Sequence, residues 1–153
     1  MAKGLKVDNG FIPCAGEDGD EFYVNGIFEF NISKMIAYIQ ENPDTISLET
    51  VLVEDFAQSS SIDESHMVLV DISKPVIMAE IAPGRYNLID GNHRMEKARR
   101  MGVKSLPAYK FNVDQHIKFL TDKRGYVTYV EFWNEKLKYF AKVARGMEGT
   151  KNV

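Results

Sequence analysis

The first patterned segment of hydrophobic and polar residues lies between Glu21 and Phe30. The stretches Glu21–Val24 and Ile27–Phe30 are rich in residues that favour strands. The dipeptide Asn25-Gly26 between them tolerates the positive φ angles of a two-residue turn, so the pattern predicts a β-hairpin. Residues 1–10 lack any apolar period, which indicates a loose N-terminal lead-in.

A helical period follows the hairpin. Ser33 is a suitable N-cap for this helix. The helix should end near Asn42, because the proline that follows disfavours helical backbone before it. Its predicted apolar side is formed by Met35, Ile36 and Ile39.

The segment after this helix has an ambiguous pattern. The apolar residues between Leu48 and Phe56 recur at helical spacing, which favours a helix, although Val51–Val53 alone would serve as a short strand. Gln58–Ser61 is typical of a loop.

Short, branched apolar runs separated by turns predict strands in the middle of the chain. One helix interrupts them, and it should end at a glycine in the C′ position. The predicted elements are, in order, strands at Met67–Val70 and Pro75–Ile81, a turn at Pro83-Gly84, a strand at Tyr86–Ile89, a helix from His93 to Met101 ended by Gly102, and a strand at Pro107–Phe111.

The remaining residues have a helical pattern. Asp114 can cap a helix that runs through Leu120, and Lys123–Gly125 then predicts a turn before a longer helix. The apolar face of that helix should comprise Val127, Val130, Leu137, Phe140, Ala141 and Ala144. Together these patterns predict one α/β domain over residues 11–113, with a helical extension over residues 114–148 packed on the same domain.

Composition and charge narrow the function classes. The 153 residues carry a formal net charge of -3, which argues against a broad electrostatic grip on duplex DNA but leaves a local basic patch open. Cys14 is the only cysteine and cannot form an internal disulfide. No long apolar stretch marks a signal peptide or membrane span near the N-terminus, so we expect a cytoplasmic protein.

The segment Asp90–Arg94 carries the strongest chemical signal. A strand, a glycine turn and a helix start in succession place unpaired backbone N–H groups at one point, with the positive end of the helix dipole behind them. Such a point binds anions. Gly91 would allow close approach of the backbone, Arg94 would offer a planar fork to phosphate oxygens, and His93 would offer a ring N–H. A phosphate site is therefore expected at Gly91, Asn92, His93 and Arg94.

The helix after the turn carries more positive charge. His93, Lys97 and Arg100 share a face and form a cationic stripe that extends the phosphate site to Lys97. The alternative is a solvated face on which Arg94 pairs with a surface carboxylate. Asp90 has three candidate roles: it could hold a Mg²⁺ bridging to phosphates, orient His93, or cap the helix. No zinc spacing, Walker loop or serine elbow is present.

The run Tyr86–Arg94, followed by Ala98, Gly102 and Pro107, resembles the signature box of the ParB/sulfiredoxin superfamily, and Pro75–Met78 resembles the strand that precedes that box. The resemblance covers residues 75–111. It implies a small mixed sheet flanked by helices and a nucleotide whose phosphates rest on the Asp-Gly-Asn-His-Arg box. Within the family, ParB proteins hydrolyse CTP while clamping DNA, sulfiredoxins use ATP to repair an over-oxidised cysteine, and archaeal relatives phosphorylate free serine.

Two departures narrow what the resemblance implies. Sulfiredoxins carry a catalytic cysteine directly before the histidine, where this chain has Asn92, so sulfinic acid repair is disfavoured. ParB proteins carry a helix-turn-helix domain after the nucleotide domain, whereas only about forty residues follow Phe111 here. The box is also similar to the Asp-Gly-Gln-His-Arg box of DNA-phosphorothioation regulators, which keeps nucleic-acid binding open.

Other polar residues and the C-terminal aromatics have more ordinary interpretations. His66 and His116 are expected to be a solvated loop residue and a helix residue, and Glu80 and Asp71 to be strand carboxylates, although either carboxylate could approach a substrate as a general base. The aromatic residues of the last helix favour a core role over a stacking platform for bases. They are Tyr126, Tyr129, Phe132, Trp133, Tyr139 and Phe140.

These observations predict a protein that binds a nucleotide, ATP, CTP or ADP, with Mg²⁺ as a candidate cofactor. If the protein is an enzyme, it would be a phosphotransferase or NTP hydrolase in which Asp90 and His93 act catalytically. The alternative hypothesis is a non-enzymatic nucleic-acid or protein-binding module of the same fold, or a ParB-like nuclease.

Overall fold

The computed structural model describes residues 2–26, 28–58 and 62–151. It contains six strands and five α-helices within these ranges. The elements are β1 (Phe22–Asn25), β2 (Phe28–Asn31), α1 (Ile32–Glu41), β3 (Ser47–Leu52), α2 (Glu64–Met67), β4 (Val76–Ala82), β5 (Arg85–Asp90), α3 (Asn92–Arg100), β6 (Ser105–Phe111), α4 (Val113–His116) and α5 (Lys123–Lys151), with short 3₁₀ turns at Val53–Asp55 and Ile117–Phe119.

The larger sheet is mixed, as the family resemblance implies. Its strand order is β3-β6-β4-β5, with β4 and β6 parallel and the other two pairs antiparallel. The tight turn at Pro83-Gly84 joins β4 to β5, and Gly84 adopts a φ of 71° there. β1 and β2 form a separate two-stranded sheet.

Helices cover both faces of the larger sheet, and β4 is buried on both sides. Val76 and Met78 point towards α3, where they pack with Met95 and Ala98. Ile77, Ala79 and Ile81 point to the opposite face and pack against α1, α5 and the hairpin. A strand buried on both faces has a continuous apolar sequence, which is why Val76–Ala82 is easy to identify.

The predicted hairpin is confirmed, except that Asn25 lies in a strand and not in the turn. Asn25 pairs with Phe28 and is the last residue of β1, and the predicted strand residue Ile27 lies outside the described residues. The N-cap of α1 is also different from the prediction. The side chain of Asn31 caps the helix by accepting from the Lys34 amide, while the Ser33 hydroxyl accepts from the Glu21 amide.

Two predictions of secondary structure between residues 48 and 70 are wrong. Residues 47–52 form the edge strand β3 instead of a helix, because all six pair with the edge of β6 that does not pair with β4. Met67–Val70 belongs to the end of α2 and the turn after it, because Asp63 caps a helix start just upstream. The predicted loop at Gln58–Ser61 lies mostly outside the described residues.

The C-terminal part follows the predicted order with corrections. Asn112, not Asp114, caps α4 in a capping box with Gln115, and the helix ends at His116 before a 3₁₀ turn. The predicted turn at Lys123–Gly125 is instead the first turn of α5. The buried face of α5 lies in its first three turns, whereas Ala141 and Ala144 are exposed.

That buried face consists of Tyr126, Tyr129, Val130 and Trp133. It also holds the N-terminal lead-in, which has no regular secondary structure in its described part. The Leu5 backbone exchanges two hydrogen bonds with the Asn134 side chain, and the Trp133 indole donates to the Lys3 carbonyl. Within the described residues, no helix combines the length and apolar character needed to cross a lipid bilayer.

Candidate functional site

A cavity of about 830 Å³ opens at the N-terminus of α3, where β4 begins and β5 ends. All five residues of the Asp90–Arg94 segment line it. The opposite wall comes from α1, through Ile36, Ile39 and Gln40, together with Tyr109 of β6. The volume lies within the range typical of small-molecule sites in proteins.

The turn between β5 and α3 depends on Gly91, which is the N-cap of α3 and has a φ of 110°. A Cβ atom at this position would lie 2.5 Å from Cγ1 of Val76. The glycine is therefore required both by its backbone conformation and by the close packing of the turn on β4. Both requirements concern the fold and do not depend on a ligand.

The first turn of α3 presents free backbone donors to the cavity. The first hydrogen bond within the helix runs from the Met95 amide to the Gly91 carbonyl. The amides of Asn92, His93 and Arg94 precede that bond, and none of the described residues accepts from them. No side chain caps this end of the helix, so Asp90 does not take the capping role. Three N–H groups and the positive helix end thus meet at one point.

The Arg94 guanidinium is engaged by the protein itself. It forms an ion pair with Asp90 at 2.7 Å and donates to the carbonyls of Pro75 and Lys74. Both ion-pair partners are largely buried, at 17% and 20% side-chain exposure. Arg94 lines the cavity, but its fork closes the junction between β5, α3 and the start of β4. Arg94 therefore lies at the predicted site, but its side chain pairs with a carboxylate, as in the alternative interpretation.

The other polar residues of α3 hold the segment 62–74, which we call the strap. Lys97 donates to the Val70 carbonyl at 2.7 Å, and Arg100 binds Glu64 through two hydrogen bonds of 2.6 Å. The bond to Glu64 raises the pKa of Arg100. The predicted cationic stripe is therefore covered by backbone carbonyls and carboxylates of the strap.

One buried carboxylate supports this array from within α3. Glu96 is 2% exposed and binds Arg99 at 2.6 Å and Arg100 at 3.2 Å. The hydrogen bond from Arg99 lowers the pKa of Glu96, with a further contribution from Arg100. Sequence analysis missed Glu96, although its spacing of three and four residues from two arginines was a readable signal.

His93 is held in one tautomer. Its Nε2 accepts a hydrogen bond from the Asp63 amide at 3.0 Å, so in the neutral ring the proton resides on Nδ1. His66 of α2 packs edge-on against His93, with ring centroids 4.9 Å apart, and also lines the cavity. The structure therefore brings together His93, which can donate through Nδ1, and the exposed imidazole of His66. The sequence predicted only a solvated loop position for His66.

Lys74 is the cavity cation that sequence analysis overlooked. It lines the cavity, is exposed, and its ammonium group forms no hydrogen bond or ion pair with the described residues, although its charge helps to lower the pKa of Asp71. Its position directly before Pro75, at the start of β4, was the only available signal. Asp71 also reaches the cavity, but a hydrogen bond from the Ser73 hydroxyl ties its carboxylate and lowers its pKa.

Two other candidates have structural roles. The Glu80 carboxylate accepts from the amides of Gly84 and Val113, and Glu80 does not line the cavity. His116 is fully buried, and its Nε2 lies 2.6 Å from the Glu80 carbonyl oxygen and 3.1 Å from the Tyr129 hydroxyl. Burial lowers the pKa of His116 to about 4.

Asp90 is the carboxylate that adjoins the free amides of α3 and is the candidate for contact with a cation there. Its Oδ2 accepts from Arg94, whereas Oδ1 has no hydrogen-bond partner among the described residues. No group of three or more His, Cys, Asp or Glu residues with metal-site geometry occurs in the described ranges. The donor set fits Mg²⁺ only in the mode in which one carboxylate, water and ligand phosphates share the ion.

The chain was compared with models of known protein families, with curated proteins and with solved structures. None of the three comparisons finds a match.

Proposed function

We propose that this protein binds a nucleotide in the cavity at the N-terminus of α3. The observation that carries the proposal is the pairing of free amides at a helix start with an apolar wall across the same cavity. The resemblance of the Asp-Gly-Asn-His-Arg box to the ParB/sulfiredoxin superfamily points to the same ligand class, and the observed mixed sheet with flanking helices is compatible with it.

The phosphates would rest on the amides of Asn92, His93 and Arg94. His93 supports this seat by directing Nδ1–H away from its bond to Asp63, and Lys74 supplies the uncommitted positive charge. Arg94 contributes its backbone amide and holds the turn in shape, while its side chain remains with Asp90. Lys97 acts through the strap rather than by direct contact.

The base and sugar would occupy the part of the cavity between α1 and the sheet. Ile36, Ile39 and Ile77 provide apolar surface there, and the Tyr109 ring is only partly buried. Glu21 and Gln40 at the rim can accept and donate hydrogen bonds. A mixed wall of this kind binds the planar, hydrogen-bonding part of a nucleotide.

Phosphoryl transfer or hydrolysis at this point would need little more than orientation and charge neutralisation. Nε2 of His93 is occupied by the Asp63 amide, so the exposed His66 is the better general base. Asp90 would hold Mg²⁺ through Oδ1, and the ion would neutralise phosphate charge when bound.

The proposal is tested by nucleotide-dependent thermal stabilisation. ATP, CTP and ADP are each added with and without Mg²⁺, and the rise in melting temperature gives the affinity, since a ligand at about 100 times its Kd stabilises by about 2.7 kcal/mol. Lys74→Glu should lower the affinity for the active nucleotide at least tenfold, and so reduce the rise in melting temperature, because it places a carboxylate beside the phosphates. The side chain is exposed, so the fold should be retained.

Lys104→Glu is the matched control. Lys104 is also exposed, but it lies beyond the C-terminal end of α3 and does not line the cavity. Its variant should respond to nucleotide as the original protein does. If no nucleotide raises the melting temperature, or if both lysine variants respond equally, the cavity is not a nucleotide site. His66→Gln separates binding from turnover, because it should reduce phosphate release without changing the thermal response.

A further inference from the structure

The C-terminal half of α5 concentrates positive charge in an acidic protein. Residues 136–146 contain four cations, Lys136, Lys138, Lys142 and Arg145, and no carboxylate, while the whole chain has a net charge of -3. Lys138, Lys142 and Arg145 are spaced four and three residues apart, so they form one ridge along the helix. All three are exposed, and the ion pair that they form with a described residue joins Lys138 to the exposed Glu135 at 3.6 Å.

An aromatic stripe runs beside this cationic ridge. Tyr139 is 59% exposed, and Val143, four residues later, is 42% exposed. The Lys136 ammonium lies 5.8 Å from the centre of the Tyr139 ring. The buried part of α5 ends near Trp133, so this half of the helix extends past the core instead of completing it.

The same surface continues onto the larger sheet through Arg85. Its guanidinium lies 5.4 Å from the centre of the Phe140 ring, and Arg85 also lines a second groove of about 630 Å³ on the sheet. In that groove the Lys110 ammonium lies 5.1 Å from the centre of the Tyr86 ring and also forms an ion pair with Glu49 at 3.5 Å. Alternating cations and partly exposed aromatic rings thus extend from the end of α5 to the groove.

We propose that this basic and aromatic surface binds single-stranded nucleic acid. The ridge from Lys138 to Arg145 spans about 10 Å along the helix axis, which matches about three phosphates of one strand. Tyr139 and Tyr86 offer ring faces on which bases stack without regard to sequence. An anionic membrane fits less well, because the exposed stripe holds only Tyr139 and Val143 and offers little apolar area to bury. The surface is separate from the α3 cavity, so the proposal does not depend on nucleotide binding.

Fluorescence anisotropy of labelled oligo(dT) and oligo(U), each of about 20 nucleotides, tests the proposal on the full chain. The ridge variant K138Q/K142Q/R145Q should bind at least tenfold more weakly at low salt. It should also reduce the slope of log affinity against log salt by about 2, because each lost phosphate contact removes about 0.7. The control K104Q/K123Q/R124Q removes the same charge from exposed positions elsewhere and should bind normally.

Tyr139→Ala should weaken binding about fivefold or more, and Tyr139→Phe should restore it, since stacking needs the ring and not the hydroxyl. Circular dichroism checks that each variant keeps its helix content. Equal binding by the ridge variant and its control would overturn the proposal. Binding to phosphatidylserine vesicles without binding to either oligonucleotide would also overturn it. A third refuting result is that the ridge variant loses as much affinity for duplex DNA as for single strands while Tyr139→Ala has no effect.

Discussion

Arg94 offers the sharpest test of how the site is built, because its guanidinium forms hydrogen bonds with three other residues of the chain. The fork joins the end of β5, through Asp90, to the carbonyls of Lys74 and Pro75 at the start of β4. Arg94→Ala removes all three bonds at once. It also leaves the Asp90 carboxylate, which is 20% exposed, without its cation.

The loss of stability can be estimated from these contacts. Hydrogen bonds from a charged donor are the stronger kind, but this site retains some solvent exposure, so we take about 1 kcal/mol for each bond. Arg94→Ala should therefore cost about 3 kcal/mol of unfolding free energy, or about 6 to 12 °C in melting temperature. Arg94→Lys keeps the charge but only one point of contact, and should cost about 2 kcal/mol.

Urea unfolding followed by tryptophan fluorescence provides the assay. Trp133 is the single tryptophan and is 2% exposed, so its emission reports the core. A double-mutant cycle with Asp90→Asn should give a coupling free energy of about 1 kcal/mol. The reasoning fails if Arg94→Ala loses less than about 1 kcal/mol. If that stable variant also lost all nucleotide response, Arg94 would be a direct ligand contact instead of a clamp.

Three further outcomes follow from particular residues. Gly91→Ala should cost about 3 kcal/mol in urea unfolding, from clash and positive φ together, whereas Gly84→Ala, which has open space around it, should cost about 1 kcal/mol; equal losses would refute the packing role. Because burial lowers the pKa of His116 to about 4, the unfolded chain takes up a proton first, and about 3 kcal/mol of stability should be lost as the pH falls from about 6.5 to 4. In His116→Phe that slope should vanish. The hydrogen bond from Arg99 lowers the pKa of Glu96, so the stability that ionised Glu96 contributes is present above the usual carboxyl pKa of 4.5 and is lost as the pH falls below it. Glu96→Gln should therefore have a flatter profile of stability against pH in acid, and an unchanged profile would count against the buried ion pairs.

The position of the site is largely readable from local sequence. Val76–Ala82 is apolar throughout and identifies a central strand, and the glycine between Asp90 and Asn92 marks the strand-to-helix turn. Both signals are local, because strand burial and a positive φ at a turn constrain residue types at the position itself. The phosphate site that the sequence predicts at the start of α3 rested on those two features.

The partners of the α3 side chains were not readable in the same way. A run of Arg, Lys and His predicts a cationic stripe, yet Arg94, Lys97 and Arg100 each find an acceptor on the strap, 20 to 36 residues earlier in the sequence. His93 instead accepts a hydrogen bond from the Asp63 amide of the strap. β3 was missed for a related reason. Its apolar residues have helical spacing, and only pairing with β6, more than fifty residues away, makes the extended conformation favourable.

Local sequence was sufficient to predict the central strands, the start of α3 to within one residue and the need for glycine before it, because these features depend on the burial and backbone geometry of neighbouring residues. The side-chain partners depend on the fold: Arg94 and Lys97 bind main-chain carbonyls, His66 contacts His93, and Lys74 forms no hydrogen bond or ion pair with the described residues. Charged side chains are long and can reach several acceptors of similar energy, so their pairing is selected by which segments the folded chain brings within about 3 Å.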